Sequence, residues 1–227
     1  MKDIQHHNLK SGRTVEIERK KGRGHTYLLN GENPVKSITS IAGYLDGHFS
    51  IGMHWAIKQI RLADGDLEAP KKIGNQAREE GELLHAQIEE FIKTGSIAES
   101  LAFLSWHELI TQLQFTEGLD FIGTERFVYD PELMIGGTVD AIAQTADGEI
   151  HLYDWKTKAY DSFQKYGPSA KDFVQVAGYN CAINAMNSVF APISKAWIVY
   201  VMRDGSQSVR VNVDLEKYIP IYKATHQ

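Results

Sequence analysis

Cysteine is nearly absent: Cys181 is the single thiol among 227 residues. One thiol cannot close an internal disulfide, and no cysteine cluster exists to hold structural zinc or an iron–sulfur centre. Uninterrupted apolar runs are also missing. None approaches the ~18 residues that a membrane helix needs, so no membrane partner is expected. The opening MKDIQHHNLK has no apolar core of the secretory kind, and Asp3 suits a transit peptide badly. These absences point to a reducing cytoplasm. There is no internal repeat, low-complexity tract or Pro/Gly/Ser linker, so one domain is expected over 1–227. A chain of this length can bury ~70% of the surface it exposes when unfolded. With 43% hydrophobic and 23% charged residues, fibrous, disordered and disulfide-scaffold classes are excluded.

Positive charge is in deficit overall, with a net charge of −5, but it is unevenly spread. Residues 1–36 hold eight Lys/Arg against four acids, a local balance of +4 that leaves −9 for the remainder. Such a basic element could meet a phosphate backbone, and a solvated hairpin explains it equally well. Residues 14–18 and 25–29 read as that hairpin, with a turn at Gly22 and Gly24. Ser37 can cap a helix through Ile38, Ile41 and Leu45 that Gly47 stops. Further helices are expected over 51–62, 71–93 and 97–115. The period then changes. Residues 121–129, 134–144 and 149–156 read as an antiparallel meander, 170–187 as a helix, and 195–203 with 208–213 as a hairpin around Asp204-Gly205. The sum is an α+β domain, with an N-terminal hairpin and helical region over 1–70 and a core over 71–215.

The chemistry-bearing residues lie on the meander. Along 150–156, Ile150, Leu152, Asp154 and Lys156 share one face. Alone, Asp154-x-Lys156 is an ordinary exposed ion pair, worth ~0–1 kcal/mol. The preceding strand adds Gly136-Gly137-Thr138-Val139-Asp140. Opposed residues of an antiparallel pair lie on one face. A two-residue loop at Asp147-Gly148 would oppose Asp140 and Trp155 and separate the carboxylates. A three-residue loop, Ala146-Asp147-Gly148, opposes Asp140 and Asp154, and Gly148 supplies the left-handed residue that loop needs. Two facing carboxylates repel, which raises one pKa unless a cation intervenes. Mg²⁺ or Mn²⁺, with their preference for oxygen ligands, resolve the conflict. On the 71–93 helix, Gly81, His85 and Glu89 form a stripe, and a glycine there suggests close approach of another backbone or a phosphate. The 170–187 helix carries Gln175 and Tyr179 four residues apart.

In order, Gly81-x-x-x-His85-x-x-x-Glu89, Glu125, Gly136-Gly137-Thr138-Val139-Asp140, Asp154-Trp155-Lys156-Thr157 and Gln175-x-x-x-Tyr179 resemble the PD-(D/E)XK nuclease superfamily. The resemblance spans residues 78–180. It is nearest to the RecB-type exonuclease branch, which includes phage exonucleases and the mitochondrial genome maintenance exonuclease. The eponymous proline is replaced by Val139, and the cysteines of iron–sulfur members are missing, so no iron–sulfur cluster is implied.

The resemblance implies a restriction-endonuclease-like fold: a central mixed sheet flanked by helices, with the N-terminal hairpin and helices over the cleft. It implies that His85, Asp140, Asp154 and the Trp155 carbonyl hold Mg²⁺ (or Mn²⁺). Lys156 would be the catalytic lysine, with Gln175 and Tyr179 holding the lysine, the waters or the strand. Glu125 fits the strand position, or it pairs instead with Arg126 or Lys158. The implied activity is phosphodiester hydrolysis by a metal-activated water, as an exonuclease on single-stranded DNA or DNA ends. The alternatives are a structure-dependent or restriction-type endonuclease, or a non-catalytic nucleic-acid-binding or assembly protein. Phage or bacterial replication and recombination proteins are the implied partners, in a bacterial or phage-infected cell. Trp55, His54, Lys58 and Arg61 offer stacking and phosphate contact to a single strand, while core packing is the expectation for Trp55 itself and the same caution covers His48 and His54.

Overall fold

Four strands, not two, form the N-terminal region: β1 (Asp3–Asn8), β2 (Thr14–Lys20), β3 (Thr26–Leu29) and β4 (Asn33–Ser37). The computed structural model describes residues 3–9, 12–20, 26–42, 48–186 and 188–225. The expected turn at Gly22 and Gly24, and Leu45, Gly47 and the side chain of His48, lie outside what is described. The strands pair antiparallel in succession. Alternation explains their inward face, since Val15, Ile17 and Tyr27 are buried while Thr14 and Thr26 are exposed. β1 and β4 escape sequence periodicity because one is mostly polar and the other contains Pro34.

After α1 (Ile38–Ala42) and α2 (His48–Leu62) come two long helices. In α3 (Ala69–Thr94), Pro70 sits in the first turn, where its missing N–H is harmless, and Gly95 at φ 75° returns its N–H to Phe91. In α4 (Leu101–Glu117), Ser100 accepts the Phe103 N–H at 3.3 Å, and Gly118 ends the helix at φ 61°. Phe103, Trp106, Ile110 and Leu113 recur at helical spacing and are buried, as are Leu84 and Ile88 of α3.

The meander follows as β5 (Asp120–Asp130), β6 (Ile135–Gln144) and β7 (Ile150–Lys158). A crossover through α5 (Tyr160–Tyr166) and α6 (Ala170–Ala185) leads to β8 (Lys195–Met202), parallel to β7 as a helical crossover allows. β9 (Val209–Asn212) and α7 (Leu215–Ala224) complete the order. The result is a nine-stranded mixed sheet, β1-β2-β3-β4-β6-β7-β8-β9, with β5 paired to β6. One face packs on α6 through Val174, Ala177 and Ile183. The other packs on α3 and α4 around Leu84, Ile88, Trp106, Tyr153 and Trp155. No described helix is long and apolar enough to cross a membrane.

β6 has three partners. β5 runs along one edge. On the other, β4 pairs in parallel at Lys36↔Ile135 and Ser37↔Gly136, and β7 pairs antiparallel from Ala141↔Tyr153 to Gln144↔Ile150. Between Gly136 and Ala141 that second edge has no ladder partner among the described residues, and Asp140 lies in this fork. The meander loop is the three-residue one: Thr145 N–H bonds Glu149 at 3.0 Å, and Gly148 has φ 87°.

Candidate metal centre

Asp140 follows from that register. One rung beyond Ala141↔Tyr153, the same pairing sets it opposite Asp154. The Asp140 carboxylate enters the fork, where Oδ2 accepts the Trp155 N–H at 2.7 Å. From α3, His85 places Nε2 3.1 Å from the Trp155 carbonyl and Nδ1 3.5 Å from Asp140 Oδ1. A carbonyl can only accept, so Nε2 carries the hydrogen and Nδ1 faces the carboxylate. On β5, rungs Thr124↔Ala141 and Arg126↔Val139 flank Glu125 and set it beside Asp140. The backbone of Glu125 is left-handed, at φ 48°. Ligand atoms of His85, Glu125 and Asp140 all lie within 4.8 Å of one another.

Asp154 is buried and faces α6. Its Oδ2 is 2.5 Å from Lys156 Nζ, and Gln175 Nε2 makes a long 3.5 Å contact to Oδ1. The same amide donates to the Tyr179 hydroxyl at 2.7 Å, and Thr39 Oγ1 lies 3.4 Å from that hydroxyl. Asp140 and Asp154 therefore mark two halves of one fork. Asp140 joins His85 and Glu125, while Asp154 joins Lys156, Gln175 and Tyr179. The compact trio includes Glu125 and omits Asp154, whereas the resemblance names Asp154 as a ligand and leaves Glu125 open.

The charges have clear causes. Burial raises the Asp154 carboxyl, and neighbouring Asp140 adds to it against the pull of Lys156. For Asp140, burial acts upward, but His85 and Lys156 outweigh it and the pKa is lowered. Burial also disfavours imidazolium at His85, yet Asp140 raises its pKa to about 9. Lys156 stays protonated despite burial because Asp154 and Asp140 raise its pKa. Glu125 is raised by burial and by Asp140, with Arg19 opposing.

His85 and Glu125 of the trio line a cleft together with Arg19, Arg78, Gly81, Glu82, Glu89, Lys156 and Thr157. Gly81 has a packing reason, since a Cβ there would meet Thr157 Oγ1 at 3.3 Å. Glu89 pairs with Lys93 on its own helix. Trp55 is 41% exposed, so the core-packing expectation fails. Neither it nor His54, Lys58 or Arg61, all exposed on α2, is among the residues lining the cleft. Glu125 pairs with neither expected cation. Arg126 lies over the Phe190 ring, and Lys158 lies 3.7 Å from Asp172. The partner is Arg19 of β2, at 2.9 Å across 106 residues of sequence. Sequence reasoning missed it, and no local signal could reveal a contact between strands so distant.

Comparison with known proteins adds one family. The PD-(D/E)XK nuclease superfamily matches residues 96–222, more than half of the chain. A solved structure, "Crystal structure of SSO0001", is 18% identical over 63% of this chain and 70% of that one, with a TM-score of 0.31. No curated protein matches the chain.

Proposed function

Because the chain belongs to the PD-(D/E)XK nuclease superfamily, we propose that it is a metal-dependent deoxyribonuclease that works as an exonuclease on single strands or DNA ends. The observation that carries the metal reading is the His85–Glu125–Asp140 trio beside Lys156. The exonuclease reading is supported by the RecB-type order of Gly81, His85, Asp140, Asp154, Lys156, Gln175 and Tyr179 along the chain.

The donor set suits the cation. Two carboxylates and an imidazole converge in a half-buried pocket; burial first, and the neighbouring Asp140 charge as well, raise the Asp154 and Glu125 carboxyls, a repulsion that a cation among them would relieve. His85, Glu125 and Asp140 would hold Mg²⁺ or Mn²⁺, with Asp154 and the Trp155 carbonyl adjoining. A divalent cation supplies a more acidic water and offsets charge on the phosphate. Lys156 keeps its proton at Nζ and sets positive charge where the attacked phosphate becomes more negative. Gln175, braced by the Tyr179 hydroxyl, limits the swing of Asp154 and through it of Lys156. Arg78 and Arg19 give the cleft its further positive groups.

The test uses end-labelled single strands, duplexes with ends and closed circles, with Mg²⁺ or Mn²⁺. Linear DNA should be degraded and circles should survive. Asp154→Ala should lose turnover and keep most DNA binding. Degradation by Asp154→Ala at the parental rate would refute the assigned site. Cleaved circles would instead make the protein an endonuclease of the same fold, and binding without cleavage of any substrate a non-catalytic module.

A further inference from the structure

Gln5 and Arg19 come from the N-terminal strands, yet both end on Glu125. The Gln5 side chain spans β5 with its two polar atoms: Nε2 donates to the Glu125 carbonyl at 3.1 Å, and Oε1 accepts the Phe127 N–H at 3.0 Å. The first of those groups belongs to the left-handed residue itself, Glu125, at φ 48°. Non-glycine residues adopt this conformation rarely, and it persists where surrounding structure over-determines it. Arg19 takes the other end of the residue. Its Nη1 lies 2.9 Å from Glu125 Oε2, its Nε lies 2.8 Å from Asp3 Oδ2, and its guanidinium sits 5.0 Å from the Phe127 ring centroid. Asp3 and the ring thus fix the guanidinium that meets the carboxylate.

Resting on the metal-dependent reading above, we propose that Gln5 and Arg19 are positioning residues. Gln5 holds the Glu125 backbone and Arg19 holds its carboxylate, so that the side chain is aimed at Asp140 and His85 to receive a divalent cation. The N-terminal strands are then a brace for the metal centre as well as an extension of the sheet. Arg19 separates positioning from simple charge. A guanidinium beside a cation site repels the cation, so a purely electrostatic Arg19 predicts tighter metal binding on its removal. A positioning Arg19 predicts weaker binding, because partners that orient metal ligands typically matter 10–100-fold.

The experiment is calorimetric titration with Mn²⁺, alongside thermal melts in chelator, on the full chain. Gln5→Ala and Arg19→Gln should each weaken Mn²⁺ binding about tenfold or more. Arg126→Ala, one residue along β5 and stacked on Phe190, should leave it unchanged. In a Glu125→Gln background neither change should add a further loss, the non-additivity expected of residues acting through one group. If either variant fails to fold, Gln5→Glu and Arg19→Lys keep the volume, remove the two-point contacts and should show the same weakening. Parental or tighter Mn²⁺ binding by folded variants would overturn the inference and leave the proposed nuclease intact. A parent protein that binds no Mn²⁺ would overturn both.

Discussion

Gly137 tests whether packing behind the fork governs the site. A Cβ at this position would lie 2.6 Å from Tyr179 Cε1, 3.2 Å from Cδ1 and 3.3 Å from Ile38 Cδ1. Carbon atoms settle near ~3.5–4.0 Å, so Gly137→Ala requires the ring to retreat by about 1 Å. Tyr179 is only 3% exposed and has little room to do so. Overpacking of this kind costs about 1–3 kcal/mol, against about 0.5–1 kcal/mol regained when alanine replaces a strand glycine. The same retreat is enough to break the 2.7 Å bond from Gln175 to the Tyr179 hydroxyl, adding about 1 kcal/mol.

The net destabilisation is therefore about 1–3 kcal/mol, or a melting temperature lower by roughly 2–10 °C for a chain of this size. Turnover should suffer more, since a misplacement of about 1 Å can cost ~100-fold. Differential scanning calorimetry and initial rates on a labelled oligonucleotide read both quantities. Combining Gly137→Ala with Tyr179→Leu should restore the melt but not the rate, because space returns while the hydroxyl does not. Parental melting and parental turnover in Gly137→Ala would refute the coupling of this glycine to the site through Tyr179.

Two further outcomes follow from the charges. His85 has a folded pKa of about 9 against an ordinary 6.5, so its stabilisation is complete below pH 6.5 and lost as pH rises through 9. In chelator the melting temperature should fall between those pH values, and His85→Gln should flatten the fall; an equally steep fall in that variant would discard the His85–Asp140 pair as its source. Saturating Mn²⁺, at about 100 times its dissociation constant, should stabilise the protein by about 2.7 kcal/mol. Asp140→Asn should abolish most of that upward shift in fluorimetric melts, and an undiminished shift would place the ion elsewhere.

The legible part of this fold is local in origin. Gly148 demands a left-handed residue at the end of a three-residue loop, and that one turn sets the meander so that Asp140 and Asp154 oppose each other. Ser100, Gly95 and Gly118 bound their helices for equally local reasons. What stayed hidden depends on contacts between distant segments. β1 shows no apolar alternation, and β4 is short and carries Pro34, so neither announces that the hairpin extends the main sheet. The left-handed Glu125 has no residue-type signature, and the groups that meet its backbone, Gln5 and the ladder with β6, come from other strands. Trp55 misled for the opposite reason: its type suggests burial, while its place on α2 leaves it exposed.

The fork explains how the Asp140 carboxylate can be buried at the sheet's centre and still reach groups beyond it. A continuous ladder would give the Trp155 N–H a backbone carbonyl on β6, and Asp140 would be an ordinary side chain on one face. With β4 leaving β6 after Gly136 and β7 joining only at Ala141, the Asp140 carboxylate takes that N–H instead. The buried donor is satisfied, as it must be, by a group that has a second oxygen to offer. That oxygen, Oδ1, faces His85 Nδ1. One carboxylate thus completes the sheet and lends its second oxygen to the His85–Glu125–Asp140 cluster at the same point, which ties the cluster's position to the strand order.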